Sequence, residues 1–144
     1  MLYTTKPSFP LLSAHLLRCF KALGGTVTSE DFPEGNANFV SYINNAKSAG
    51  AGVIFAPVST NYAQLIIEAA GAQGFEGHLL GSDTWDNNMV IESAKGKSVN
   101  VEITTFYQEG GAPEFDAGIK EWMNANADAL TNNGGNDMVS AVTA

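Results

Sequence analysis

Polar and aromatic side chains follow three of the strands that the sequence predicts, at the point where each strand ends. Because the carboxyl ends of parallel strands lie along one edge of an open sheet, we expect these side chains to converge there. The predicted ligand-binding residues are Val58, Ser59 and Thr60 after the first of these strands, Asp83 and Trp85 after the second, and Tyr107 after the third.

The chemistry of this group of side chains suits a small zwitterion. The Asp83 carboxylate can accept hydrogen bonds from an ammonium group. Trp85 and Tyr107 offer aromatic faces to a cation or to an apolar side chain, and Ser59 and Thr60 offer hydroxyls. The sequence therefore predicts recognition of a charged, polar small molecule.

Each of these side chains also has a purely structural interpretation. Ser59 and Thr60 can cap the helix that starts there, and Asp83 can cap the turn that follows it. Trp85 can pack within its loop, and Tyr107 can end a strand with its hydroxyl in water. The sequence leaves these alternatives open.

Patterns typical of enzymes and of metal sites are missing. Neither the dinucleotide fingerprint G-x-G-x-x-G nor the phosphate-binding G-x-x-x-x-G-K-[ST] occurs. His15 lies in the first predicted helix, and His78 begins a strand at the end opposite the predicted site. Asp83, Asp86 and Glu109 could hold Mg²⁺ as in receiver-type domains, but no lysine follows a strand end as that chemistry requires. We predict no enzyme, no metal and no cofactor.

Charge and cysteine content narrow the classes of partner further. Fifteen acidic and seven basic residues give a net charge of −8, which disfavours nucleic acid and anionic membranes. The single cysteine, Cys19, rules out an intramolecular disulfide, and we interpret it as a small apolar residue on a helix. No apolar run approaches the length of a membrane span, and no signal peptide is recognisable in this chain.

Helical and strand patterns alternate along the chain. Helices are predicted over 11–23, 38–49, 60–74, 88–94 and 113–129, with a further one beginning at 137; strands are predicted over 26–32, 52–57, 78–81 and 99–107. Such alternation with short loops is typical of a parallel sheet covered by helices on both faces. The predicted fold is a three-layer α/β/α sandwich around a mostly parallel, flavodoxin-like sheet of about five strands. The predicted core is Phe39, Val40, Ile43, Val53, Ile54, Phe55, Leu65, Ile66, Leu79, Leu80, Ile103, Phe115, Ile119 and Trp122.

The order of several short motifs resembles a known receptor family. A helix ending in ALGG, a buried strand leading into a polar loop, and the run LLGSDTW occur in that order within residues 20–87, and residues 101–126 continue the pattern. Together they resemble the second lobe of type I periplasmic binding proteins of the leucine/isoleucine/valine-receptor family. The resemblance implies a receptor that closes on an amino acid, for example a branched-chain one, and passes it to an ABC permease. It also implies a periplasmic or membrane-tethered extracellular location for the parent protein.

Residue roles follow from the same resemblance. The acid after the LLG strand, Asp83 here, would bind the ligand's ammonium group. Ser59 would face the ligand with Val58 and Thr60 beside it, while Trp85 and Tyr107 would lie at the mouth of the cleft.

The chain departs from the family pattern at both ends. Residues 1–19 lack any acidic residue and are atypical of the lobe, and the last residues begin a helix that in relatives leads to the other lobe. We therefore interpret residues 1–144 as one ligand-binding lobe of the substrate-binding component of an importer. The alternative is a truncated or engineered lobe without ligand affinity, which forms a homodimer through its exposed cleft face or sheet edge.

Overall fold

The computed structural model describes residues 2–4, 10–106 and 110–127, and the side chains from residue 14 onward within those ranges. The strands are β1 (Leu2–Thr4), β2 (Glu30–Phe32), β3 (Val53–Ala56), β4 (His78–Gly81) and β5 (Asn100–Ile103). The helices are α1 (Pro10–Ala22), α2 (Val40–Ser48), α3 (Thr60–Ala72), α4 (Asn88–Ala94) and α5 (Pro113–Ala125), with a short 3₁₀ turn at Asp83–Trp85. The predicted helix beginning at 137 lies outside the described residues.

All described strand pairs are parallel. Hydrogen bonds join β1 to β2, and β3 to β4 to β5. The described strands thus form a two-stranded and a three-stranded parallel sheet, and β1 lies near β3 without pairing to it, which gives the spatial order β2-β1-β3-β4-β5. This is the flavodoxin-like order, in which the chain changes direction across the sheet between β1 and β3. The predicted α/β class with an open, parallel sheet is thereby confirmed, but the larger hydrogen-bonded sheet among the described residues has three strands and not about five, because β1 and β3 are not paired.

The main core lies on the sheet face that carries Ile54 and Leu79. These two residues occupy paired positions on β3 and β4, and both are buried. The helices that follow β2, β3 and β4 pack Ile43 from α2, Ile66 and Ile67 from α3, and Val90 from α4 into the same continuous apolar cluster. Each fully buried side chain of this size contributes about 1.5–3 kcal/mol to folding, so this face holds the described part of the domain together.

A cluster of aromatic rings fixes the loop after β2 to helix α3. The ring of Phe32 meets those of Phe39 and Tyr62 edge to face, with centroids 4.8 and 5.0 Å apart. The Tyr62 hydroxyl accepts a hydrogen bond from the backbone N–H of Gly35 at 2.8 Å. Gly35 has a φ of +79°, a conformation that glycine adopts without strain.

The opposite sheet face is less well covered than predicted. Val53 on this face is 46% exposed, and His78 and Glu102 form an exposed pair, with Nδ1 and Oε1 2.7 Å apart. On α5, the apolar stripe that we expected to be buried has no buried member, and its Trp122 is 48% exposed. In all, five residues of the predicted core are exposed, namely Val40, Val53, Ile103, Phe115 and Trp122. These five predictions of burial are therefore wrong: Val53 lies on the poorly covered sheet face, Phe115 and Trp122 lie on the exposed α5, Val40 is at the start of α2, and Ile103 ends β5.

Candidate functional site

The loops after β3 and β4 lie side by side because these strands are in register, with Ala56 opposite Gly81. The first loop begins at Pro57 and Val58, and the second contains Ser82 and the turn at Asp83–Trp85. Since β3 borders the point where the strand order reverses, these loops occupy the edge where open α/β sheets bind ligands. The structure thus brings Ser59, Thr60 and Asp83 together at this edge, with Val58 buried beneath them, whereas Trp85 packs elsewhere.

Two hydrogen bonds of opposite direction join these loops. Thr84 Oγ1 donates to the carbonyl oxygen of Val58 at 2.7 Å, and Thr60 Oγ1 donates to the carbonyl oxygen of Thr84 at 2.9 Å. Ser82 Oγ lies 2.9 Å from Thr84 Oγ1. We call Thr60, Ser82, Thr84 and the Val58 carbonyl the hydroxyl clasp. Val58 and Ser82 are each only 2% exposed, so the clasp is anchored on buried residues.

The sequence analysis missed Ser82 and Thr84. The signal was present, because the two hydroxyl residues flank Asp83 directly in the run Ser-Asp-Thr. Short hydroxyl side chains next to a strand end commonly bond neighbouring backbone. Thr60, which we predicted to bind the ligand beside Ser59, uses its hydroxyl proton within the clasp.

Asp83 and Ser59 project from the two loops beside the clasp. Both are exposed, and neither side chain makes a hydrogen bond or ion pair to any residue in the described part of the chain. Ser59 stands at the N-cap position of α3, yet its side chain makes no capping bond. Helix α4 is capped by Asn87, whose side chain accepts a hydrogen bond from the N–H of Met89 at 2.7 Å. The capping roles considered for Ser59 and Asp83 are therefore not the ones observed, and both groups remain available to a ligand.

Trp85 lies in the core and not at the open edge where we predicted it. The residue is 1% exposed and belongs to the same apolar cluster as Ile54 and Leu79. Its Nε1 is buried and has no hydrogen-bond partner among the described residues. The carboxyl end of β4 accommodates this ring because residue 81 is glycine.

The loop after β5 is connected to the same edge. Thr105 Oγ1 donates to Asp86 Oδ2 at 2.7 Å, and the N–H of Thr104 donates to the carbonyl oxygen of Gly81 at 3.2 Å. The predicted aromatic residue of this loop, Tyr107, lies outside the described residues.

Other features of the described chain lie away from this edge. An open apolar cavity of about 340 Å³ lies between α1, α2 and β3, with Phe20, Val53 and Phe55 in its lining. Within the described ranges, no three histidine, cysteine, aspartate or glutamate side chains are grouped so that they could hold a metal ion. No helix in these ranges is both long enough and apolar enough to cross a membrane.

Comparison with solved structures places this topology in a known structural class. A leucine-binding protein (LivK) from Thermotoga maritima superposes with a TM-score of 0.73 over 88% of this chain, at 22% sequence identity. The fold is that of one lobe of a type I periplasmic binding protein. The predicted resemblance is thus confirmed at the level of the fold. The matched region spans 37% of the leucine-binding protein, as expected for a single lobe.

The comparisons made at the sequence level gave no match. No protein-family model and no curated protein matches this chain. At 22% identity the structural similarity establishes the fold, and the ligand has to be argued from the residues of this chain.

Proposed function

We propose that this chain supplies one wall of a binding site for an amino acid, in which Asp83 accepts the ligand's ammonium group and Ser59 lies beside it. The observation that carries the proposal is the state of the Asp83 carboxylate. It is exposed at the carboxyl end of β4 and makes no bond to any residue in the described part of the chain. A carboxylate held on a fixed turn and free of protein partners is suited to bind a cationic ligand group.

The part of the solute that this lobe recognises follows from the charged and polar groups at its described edge. The described edge presents a carboxylate and a hydroxyl, but no arginine or lysine that would bind the ligand's carboxylate. In a two-lobed receptor the carboxylate would be bound by the other lobe. We therefore propose that this lobe recognises the ammonium end of the amino acid, and that Tyr107 contacts the ligand from the third loop.

The fold supports a role for this lobe in solute uptake. The superposed Thermotoga maritima protein is a leucine-binding protein, and the match corresponds to one lobe of it. We propose that the parent receptor is the extracytoplasmic substrate-binding component of an ABC importer and delivers its amino acid to a permease. Since half of the contacts are supplied by the other lobe, we expect this lobe alone to bind with a dissociation constant on the order of 1 mM.

The test is an NMR titration of the isotope-labelled chain with three related probes. L-Leucine carries both charged groups, L-leucinamide keeps the ammonium group only, and 4-methylpentanoate keeps the carboxylate only. We expect leucine and leucinamide to shift the amide signals of Ser59 and Asp83 in a saturable way, while 4-methylpentanoate leaves them unchanged. Equal shifts with 4-methylpentanoate, or no saturable shift with leucine, would contradict the proposal.

A second candidate function is self-association, and one observation favours it. Large apolar side chains are exposed on α5 and on the poorly covered sheet face, with Phe115 at 41%, Val53 at 46% and Trp122 at 48%. An apolar surface of this kind is typical of an interface. We propose that, where ligand affinity is absent, a second copy of this chain covers these side chains in a homodimer.

A further inference from the structure

The direction of each bond in the hydroxyl clasp follows from proton counting. A threonine hydroxyl has one proton to donate and two lone pairs to accept with. Thr84 Oγ1 gives its proton to the Val58 carbonyl, 2.7 Å away. The 2.9 Å contact between Ser82 and Thr84 must then run from the Ser82 hydroxyl to Thr84 Oγ1. The Thr84 hydroxyl therefore both donates and accepts, and it is the central member of the chain Ser82 → Thr84 → Val58.

Residues of the clasp flank both residues of the proposed site, Asp83 and Ser59, along the chain. Asp83 stands between Ser82 and Thr84, and Ser59 stands between Val58 and Thr60, so each is flanked on both sides by residues of the clasp. The two loops have no equivalent bond made by Asp83 or Ser59 themselves within the described chain. The spacing between the Asp83 carboxylate and the Ser59 hydroxyl is consequently set by their neighbours.

We propose that Thr84 is a positioning residue for ligand recognition: its hydroxyl locks the β3 and β4 loops together and holds Asp83 and Ser59 at the spacing that the amino acid requires. This inference rests on the proposed function for its consequence in binding, although the locking of the loops is independent of any ligand. Removing the Thr84 hydroxyl leaves the Ser82 hydroxyl and the Val58 carbonyl without these bonds in a part-buried place, and this loss destabilises the closed arrangement of the two loops.

The test compares Thr84→Val, which replaces the hydroxyl by a methyl group of similar size, with Thr84→Ser, which keeps it. Ile43→Val is the control for general destabilisation, because Ile43 is fully buried on α2 and belongs to neither loop. Without ligand, hydrogen exchange is followed at the amides of Trp85 and Asp86, which bond the carbonyls of Ser82 and Asp83 in the turn. Amides of the β3–β4 pairing report global opening in the same samples.

We expect Thr84→Val to accelerate exchange at Trp85 and Asp86 about tenfold relative to the strand amides. Thr84→Ser and Ile43→Val should keep the relative rates of the unchanged chain. In the leucine titration we expect Thr84→Val to raise the dissociation constant about tenfold and Thr84→Ser to change it less than about twofold. A Thr84→Val variant whose turn amides exchange in step with its strand amides would overturn the inference.

The two measurements separate the inference from the proposed function. If leucine does not bind the unchanged chain, the proposed function fails, and the exchange rates still decide whether Thr84 locks the loops. If leucine binds and Thr84→Val exchanges faster yet binds equally well, the loops are locked by Thr84 but ligand affinity does not depend on it, and the inference is wrong.

Discussion

The indole ring of Trp85 lies against the Cα of Gly81. A Cβ atom at position 81 would come within 2.3 Å of two ring atoms, Cγ and Cδ2, closer than non-bonded carbon atoms can approach. Trp85 is buried, so its ring cannot move aside into solvent. The end of β4 and the turn that carries Asp83 are therefore fitted to each other through a glycine and a tryptophan.

This contact predicts that a single methyl group added at position 81 strongly lowers the stability of the fold. We expect Gly81→Ala to lower the free energy of unfolding by about 1–3 kcal/mol, because the ring or the backbone must shift. The measurement is chemical denaturation, with Trp85 fluorescence recorded in a Trp122→Phe background so that the signal comes from one tryptophan. Gly52→Ala is the control, since a Cβ there meets no atom within 4 Å. Equal stabilities for the two alanine variants would contradict the described packing.

Helix α4 begins at a side-chain cap whose removal has a defined cost. The side chain of Asn87 accepts a hydrogen bond from the N–H of Met89, which otherwise has no partner in the first turn of the helix. We expect Asn87→Ala to lower the free energy of unfolding by about 1 kcal/mol, and Asn87→Asp, which can still accept this bond, to lower it less. Thermal unfolding of the three chains tests this. Identical unfolding of the alanine and aspartate variants would argue against the cap.

The exposed stripe of α5 predicts self-association. We expect the sedimentation coefficient of the unchanged chain to rise with concentration, and that of Trp122→Lys to stay constant, because Trp122 is 48% exposed in this stripe. Asn124→Lys adds a positive charge at another exposed position of the same helix and is the matched control. The homodimer proposal fails if the unchanged chain sediments as a monomer at all concentrations, or if both lysine variants behave alike.

Most of the fold was predictable because buried parallel strands have a plain sequence pattern. The apolar run ending at Ala56 and the run His78–Gly81 are bounded by glycine and polar residues, and β4 has the predicted limits. Strand β2 is shorter than predicted: residues 26–28 line the apolar cavity in place of pairing in the sheet. A short alternating run does not itself say whether a neighbouring strand is within reach.

The candidate site was predictable in position but not in its internal bonds. Strand ends locate Asp83 and Ser59 at one edge, since this follows from topology alone. The burial of Trp85 depends on its contact with Gly81. The hydrogen bonds of the clasp depend on how the loops after β3 and β4 are positioned relative to each other. Neither the Trp85–Gly81 contact nor the arrangement of the two loops can be inferred from the spacing of residues along the chain. Similarly, the apolar stripe of α5 signals a face that is suited to burial, but it does not show what covers that face.

The most direct test of the account compares leucine binding to Asp83→Asn and Glu76→Gln. Each variant removes one negative charge, and both residues are exposed near β4, Asp83 after its carboxyl end and Glu76 before its amino end. Neither change should alter the free energy of unfolding by more than about 0.5 kcal/mol. We predict that Asp83→Asn raises the dissociation constant for leucine at least about tenfold and that Glu76→Gln leaves it within about twofold. Equal affinities for the two variants would contradict recognition of the ammonium group by Asp83.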